Sequence, residues 1–495
     1  MQTASDAFGF AFDNSYARDL EGFYVPWQGA NAPAPQVLRL NTALARELGL
    51  NPDALQTTEG AKALTGAQAP QGATPLAMAY AGHQFGGFSP QLGDGRALLL
   101  GEVIDHEGQR RDIHLKGSGR TPFSRGGDGK AVLGPVLREY LMGEAMHALH
   151  IPTTRALAAC TTGEAVLRDA RLAQGAVLAR VAASHLRVGT FQFFAARGEI
   201  DELRRLMDYT IARHHPDLAD TPNRALHLLR RTLARQSELI AQWMGVGFVH
   251  GVMNTDNMAL SGETIDYGPC AFMDQYDPAT VFSSIDRNGR YAYANQPGIA
   301  RWNLARLAET LLPFLSEDDD AAIHAATAEI DAFTERYEAD WLAVMRAKLG
   351  LTTAEEGDFA LAHGLLKAME GQGADFTNSF RSLADVALGD TSALRAQFTN
   401  PEDAMDWQEG WLARLARDPV VPEARATAMN CVNPLYIPRN HLVEAALGAA
   451  NSGDMAPFDQ LLSVLATPFT QRAGMEAFAR PAPESFTNFR TFCGT

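Results

Sequence analysis

The chain has 495 residues, enough for two or three domains, with 46% hydrophobic and 20% charged residues and a net charge of -16. That balance is typical of a globular protein, and its acidity argues against a nucleic-acid partner, since like charges repel. No apolar run approaches the roughly 18 residues that cross a membrane, the first twenty residues carry no signal or presequence pattern, and the four scattered cysteines form neither a secreted disulfide framework nor a zinc site. The expectation is a cytoplasmic protein without membrane or nucleic-acid partners.

Residues 1–75 read as a mixed N-terminal extension, with a short helix in "NTALARELGLNPDAL" closed by Gly49 and a Gly/Ala/Pro-rich boundary loop after it. Glycine is dense from Tyr80 to Arg96. Next come two strand-like runs, "ALLLGEVID" and "RDIHLKG", separated by the turn signal "HEGQ" and ending near Lys116. A second glycine-rich loop, "GSGRTPFSRGGDGKAVLG", leads into a helix opened by Pro135 with a stripe at Leu137, Leu141, Ala145 and Leu149. Short strands follow at "TTRALAAC", "EAVLRD" and "GAVLARVA", then a long amphipathic helix that stops at Gly245 and Gly247. From Arg301 the chain reads as mainly helical. The order is β-rich, one helix, β, then α-rich. It predicts an α+β fold of protein-kinase-like, two-lobed topology: extension 1–75, a lobe with Gly-rich loops 76–188, a lobe with catalytic and metal-binding loops 189–320, and a helical C-terminal region 321–495.

The run "FVHGVMNTDNMALSGETIDYGP" (248–269) has the spacing of a protein-kinase active site. His250 opens it, Asn257 falls on the metal-binding asparagine, and Asp266-Tyr267-Gly268 stands where D-F-G would. The catalytic aspartate position, however, holds Val252. A carboxamide and a carboxylate suit magnesium, which takes hard oxygens and usually only one or two from protein. Each half alone is an ordinary turn sequence; their conjunction behind a long helix favours a site. Lys116 at a strand end and Glu139 on the next helix match the kinase lysine–glutamate pair. Glu144 is a rival about 140° around that helix. "GDGR" (93–96) and "GGDGK" (126–130) are candidate phosphate loops, because bare backbone N–H groups approach phosphate closely. Arg180 and Arg187, just after the last strand of the first lobe, are candidate phosphate grips.

These motifs together resemble the selenoprotein O family of protein-kinase-like enzymes. "YAGHQFGGFSPQLGDGRALLLGEV", "LKGSGRTPFSRGGDGKAVLGPVLREYL", "RVAASHLRVGTFQ", "HGVMNTDNM", "MDQYDP" and the terminal "CGT" all match it, from about residue 10 onward. The resemblance implies a protein adenylyltransferase that binds ATP in a flipped orientation and transfers AMP to Ser, Thr or Tyr hydroxyls of proteins, with Mg²⁺ or Mn²⁺; the chain itself is one candidate substrate. It implies nucleotide contacts at Gly93, Gly95, Arg96, Lys116, Asp128, Gly129, Arg180, Arg187 and Asp266, metal ligands at Asn257 and Asp266, and a proton acceptor at Asp256. It also implies a redox-sensitive disulfide between Cys270 and Cys493. Two other readings remain open from the residues alone. One is a phosphotransferase on protein or small molecule; the other is an inactive pseudokinase acting as a scaffold.

Overall fold

A computed structural model describes residues 6–168, 170–486 and 488–492. The fold is α+β: one antiparallel sheet, then a mostly helical remainder. The strands are β1 Tyr24–Pro26, β2 Gln36–Leu40, β3 Leu76–Met78, β4 Gly82–Gln84, β5 Gly87–Ser89, β6 Ala97–Ile104, β7 Arg110–Lys116, β8 Ala131–Val132, β9 Arg155–Arg168, β10 Arg171–Ala182, β11 Phe248–Val249 and β12 Ala271–Phe272. The main sheet runs β1-β3-β6-β7-β10-β9-β2, with β8 paired to β10. Residues 1–75 thus contribute both outermost strands. The helix Thr42–Glu47 ends before Gly49, whose φ is +74°; Asn51 then caps a second short helix, Pro52–Leu55.

The hairpin β6–β7 falls where alternation and the "HEGQ" turn place it. β6 is buried along almost its whole length, because both faces of the sheet are covered. Residues from the N-terminal 64 cover one face, against Leu98, Leu115, Val177 and their neighbours. The helix Leu133–Ala148 covers the other face and is itself buried nearly all round. Helices Asn440–Asn451 and Ala456–Leu465 pack on its outer side. The stripe seen in the sequence therefore marks only part of a surface that is apolar on most sides.

The three short strands expected between 153 and 182 are two long ones, β9 and β10. Gly175, which reads as a strand start, lies beside a register shift between Gln174 and Ala176. The strand bends through a bulge there and does not break.

Beyond residue 188 the helices Val188–Ala195, Ile200–His214 and Arg224–Gly245 lead to β11, which pairs with β12. This small ribbon brackets the loop 250–270. Gln296–Leu311 and the 30-residue helix Asp319–Lys348 follow. No described helix is long and apolar enough to cross a membrane.

Lys348, the last residue of that long helix, is buried, with its Nζ 4.3 Å from the centre of the Phe380 ring. Burial pushes its ammonium down to about 7. The unfolded chain, with a lysine value near ~10.4, binds the extra proton. The burial penalty is thus complete below pH 7 and fades as pH rises toward the unfolded value. Lys348→Met should raise the melting temperature by a few degrees at pH 6.5, and the gain should shrink by pH 10. Thermal melts of both proteins at the two pH values test this; an equal gain at both would rule out a buried charge as its cause.

Candidate active site

Strand register brings the cationic residues onto one face. On β7, His114 and Lys116 are two residues apart; on β10, Arg180 lies opposite His114 and Leu178 opposite Lys116. The covering helix presents Glu139 to that face. Lys116 Nζ donates to Glu139 Oε2 at 2.6 Å and to Asp266 Oδ1 at 2.7 Å. Glu144 points elsewhere, accepting from Arg155, Asn41 and the Ala156 backbone. Arg180 Nη1 reaches Glu139 Oε1 at 3.0 Å and Asp266 Oδ1 at 2.8 Å. Arg187 Nη1 reaches Asp266 Oδ2 at 3.3 Å, and its Nε is buried with no hydrogen-bond partner among the described residues. Tyr80 stacks its ring 4.6 Å from that guanidinium. Three cations thus share two carboxylates. Burial opposes ionisation of Asp266, but Lys116, Arg180 and Arg187 outweigh it and hold the carboxyl well below the usual aspartate range.

The loop 250–268 supplies the opposite wall. His250 Nε2 donates to the Ile265 carbonyl at 2.8 Å, and its Nδ1 accepts from Val252 N at 3.3 Å. The histidine therefore joins the two halves of the motif and does not face substrate. Val252 is an apolar, buried side chain. Asn257 Nδ2 donates to the Val252 carbonyl at 3.0 Å, which leaves Oδ1 as the amide's acceptor. Asp266 sits at a φ of +65°, unusual for a residue with a side chain. Asp256 is buried. Its Oδ2 accepts from Gln84 Nε2 at 3.2 Å, and its Oδ1 has no partner among the described residues. Burial pushes the Asp256 carboxyl up to about 6, against the pull of Arg187.

A cavity of about 360 Å³ opens beside this cluster, lined by Arg96, Lys116, Glu139, Gly268 and the tail residues 490–492. Asn257 and Asp266 each carry the hard oxygen type that a magnesium-type ion prefers, and such an ion usually takes only one or two ligands from protein. The described residues contain no group of three or more His, Cys, Asp and Glu side chains of the kind that holds a metal by protein alone.

The family model described as protein adenylyltransferase SelO matches residues 7–466. The chain belongs to the SelO family. It is also similar to proteins named protein nucleotidyltransferase YdiU: 63% identical over 487 residues to that of Cereibacter sphaeroides, covering 98% of this chain and 100% of the relative. The corresponding protein of Rhizobium leguminosarum bv. trifolii is 58% identical over 490 residues, covering 98% of this chain and 97% of the relative. That of Methylorubrum populi is 55% identical over 495 residues, covering 98% and 99%. This SelO-family chain is an enzyme, a protein nucleotidyltransferase that transfers AMP to protein.

In this SelO-family chain the loop 93–96 adjoins the ion cluster through Asp94, whose Oδ2 is 3.1 Å from His114 Nε2, and Arg96 lines the cavity beside it. Gly93 has a φ of +80°, and a Cβ there would fall 2.4 Å from the Phe123 ring; at Gly95 it would meet the Phe123 carbonyl at 2.9 Å. The loop 93–96 can therefore lie flat on the loop 117–130. Asp128 is exposed and accepts from both Nη atoms of Arg168 at 2.8 Å. Gly129, with φ +68°, leaves no room for a side chain against the Gly119 carbonyl. Sequence reasoning missed the hairpin β4–β5. It sits on the turn 254–257, with His83 N donating to Thr255 Oγ1 at 2.7 Å and Gln84 capping Asp256. The signal was present in "GHQFGGFS", two short runs around a Phe-Gly turn, but glycine density alone reads as a phosphate loop.

Cys270 is buried and is bonded to no other described cysteine, and burial pushes its thiol up to about 12. Cys493 lies outside the described residues, as does its expected pairing with Cys270. Nearby, Thr491 Oγ1 donates to the Pro269 carbonyl at 2.7 Å, so the tail runs beside Cys270.

Asp266 now neutralises cations that an incoming phosphate would meet. Asp266→Asn should tighten binding of inorganic tripolyphosphate in EDTA by about tenfold, since an opposing charge a few ångströms away is removed. Titration calorimetry on both proteins decides; equal or weaker binding would mean that the anion is held elsewhere.

Proposed function

We propose that this enzyme has a protein-kinase-like, two-lobed fold and binds ATP turned around in its cleft, with the terminal phosphates against Lys116, Arg180 and Arg187. The observation that carries this reading is the convergence of those three cations on Asp266, while the base position of a phosphotransferase is filled by Val252. A γ-phosphate donor needs its last phosphate at the metal. An adenylyl donor needs the α-phosphate there, and its terminal phosphates then require other cations. The unpartnered Nε of buried Arg187 supports an anionic ligand, because such a donor is costly to leave unpaired. Arg96, Gly93, Gly95, Asp128 and Gly129 complete the nucleotide contacts in this reading.

Asn257 and Asp266 would hold Mg²⁺ or Mn²⁺, which when bound neutralises phosphate charge. Asp256 takes the proton from a Ser, Thr or Tyr hydroxyl of a target protein, or of a second copy of this chain. The hydroxyl oxygen forms a bond to the α-phosphorus, the bond from that phosphorus to the oxygen bridging it to the β-phosphorus breaks, and the electron pair leaves with pyrophosphate. Gln84 holds Asp256 Oδ2 and leaves Oδ1 to take the hydroxyl proton. A cytoplasmic setting belongs to this reading. A reducible bond from Cys270 to Cys493 belongs to the same reading, supported by the seat of Thr491 on Pro269; a non-reducing peptide map tests it.

ATP labelled at the α-phosphorus should transfer label to protein, and ATP labelled at the γ-phosphorus should not. Transfer of γ label alone would make the enzyme a phosphotransferase. Asp266→Ala should remove activity by orders of magnitude, and chelation should do the same.

The carboxylate of Asp256 is the active form, so the rate should rise with pH through about 6 and level off above it. In Asp256→Asn the rate should fall by about 100-fold or more, with ATP affinity changed little. Single-turnover rates between pH 5 and 8 check both statements, and a flat wild-type profile would remove Asp256 from the base role.

A further inference from the structure

Behind Arg180 lies a row of buried polar groups that the chemistry above does not use. His114 stands two residues before Lys116 and directly across from Arg180. Its Nε2 is 3.1 Å from Asp94 Oδ2, and its Nδ1 is 3.3 Å from Arg180 Nε. Arginine Nε–H only donates, so Nδ1 must be bare and Nε2 must carry the ring proton, given to Asp94. Burial, aided by Arg180 and Arg187, holds the ring well below the ordinary histidine range, so it is neutral. Asp94 is anchored in turn: Met78 N donates to its Oδ2 at 3.1 Å, and Thr121 Oγ1 donates to its carbonyl at 2.6 Å. His185 stacks on His114 with ring centres 4.2 Å apart and is itself held by Asp112. The ring of His114 cannot turn without breaking one of these contacts.

We propose that His114 is a positioning residue for Arg180: its bare Nδ1, fixed by the anchor on Asp94, sets the plane of the guanidinium that grips the terminal phosphates of ATP. A guanidinium is a planar fork, so fixing Nε fixes the direction of both terminal nitrogens. Arg180 Nη1 already points at Asp266 and Glu139, where a phosphate would meet it. The same anchor couples the glycine turn 93–95 to the cation cluster, since Asp94 is its central residue. This inference rests on the reading of Arg180 as a contact to the terminal phosphates.

ATP and AMP separate positioning from mere structure, because AMP lacks the phosphates that Arg180 grips. The two ring nitrogens can be replaced one at a time. In His114→Gln the side-chain amide reaches the Nε2 place and keeps the contact to Asp94. In His114→Asn the carbonyl takes the Nδ1 place and keeps the acceptor for Arg180. By calorimetry, His114→Gln should weaken ATP binding by about tenfold, the scale of one hydrogen bond to a charged group, and leave AMP binding unchanged. His114→Asn should recover most of the loss. Equal weakening of ATP and AMP, or equal behaviour of the two variants, would overturn the proposal. Arg180→Met is the control on the underlying reading: if it leaves the ratio of ATP to AMP affinity unchanged, that reading fails and the proposal with it. If Arg180→Met lowers the ratio and His114→Gln does not, only the role of His114 fails. Should the histidine variants not fold, ¹⁵N-histidine spectra of the unaltered chain still decide. A neutral His114 ring protonated at Nε2 is expected, and protonation at Nδ1 would overturn the proposal.

Discussion

The site depends on one carboxylate. Lys116, Arg180 and Arg187 carry like charges into a buried volume, which is costly unless an acid meets them. Asp266 meets all three, and Glu139 shares two of them. The sheet supplies Lys116 and Arg180, the covering helix supplies Glu139, Arg187 comes from the chain leaving the sheet, and Asp266 comes from the loop between β11 and β12. The meeting of sheet, helix and loop is therefore an electrostatic event as well as a packing one. Asp266 holds a left-handed backbone to take part in it.

A second carboxylate, ten residues earlier, has the opposite environment. Asp256 faces a glutamine amide and a glycine-lined hairpin, and burial raises it, while its neighbour Asp266 is held low by cations. Two carboxylates driven in opposite directions are suited to different tasks, one to bind charge and one to accept a proton. The separation arises from which oxygens find cations and not from any difference between the residues.

The C-terminal helices bear on this indirectly. Arg138, adjacent to Glu139, donates to the Cys270 carbonyl at 2.6 Å and pairs with Glu444 at 2.9 Å. It thereby ties the helix Leu133–Ala148 both to the loop that carries Asp266 and to the helix Asn440–Asn451. The position of Glu139, and so of Lys116, is supported from a region far along the chain.

Local pattern was enough to read the hairpin β6–β7, the helix after the second glycine loop, the long helix before the catalytic run, and the spacing from His250 to Asp266, because each is written within a few tens of residues. The choice between Glu139 and Glu144 rested on analogy alone. The structure turns Glu139 to Lys116 and Glu144 to Arg155, a matter of which helix face meets the sheet. The chain by itself thus determined the elements and the residue types available to the chemistry. The tertiary structure alone decided that Gly93 and Gly95 lie against Phe123, that Gln84 covers Asp256 across 172 residues of chain, and that His114 stands behind Arg180. Such contacts join side chains distant in sequence, and neither periodicity nor spacing carries information about them.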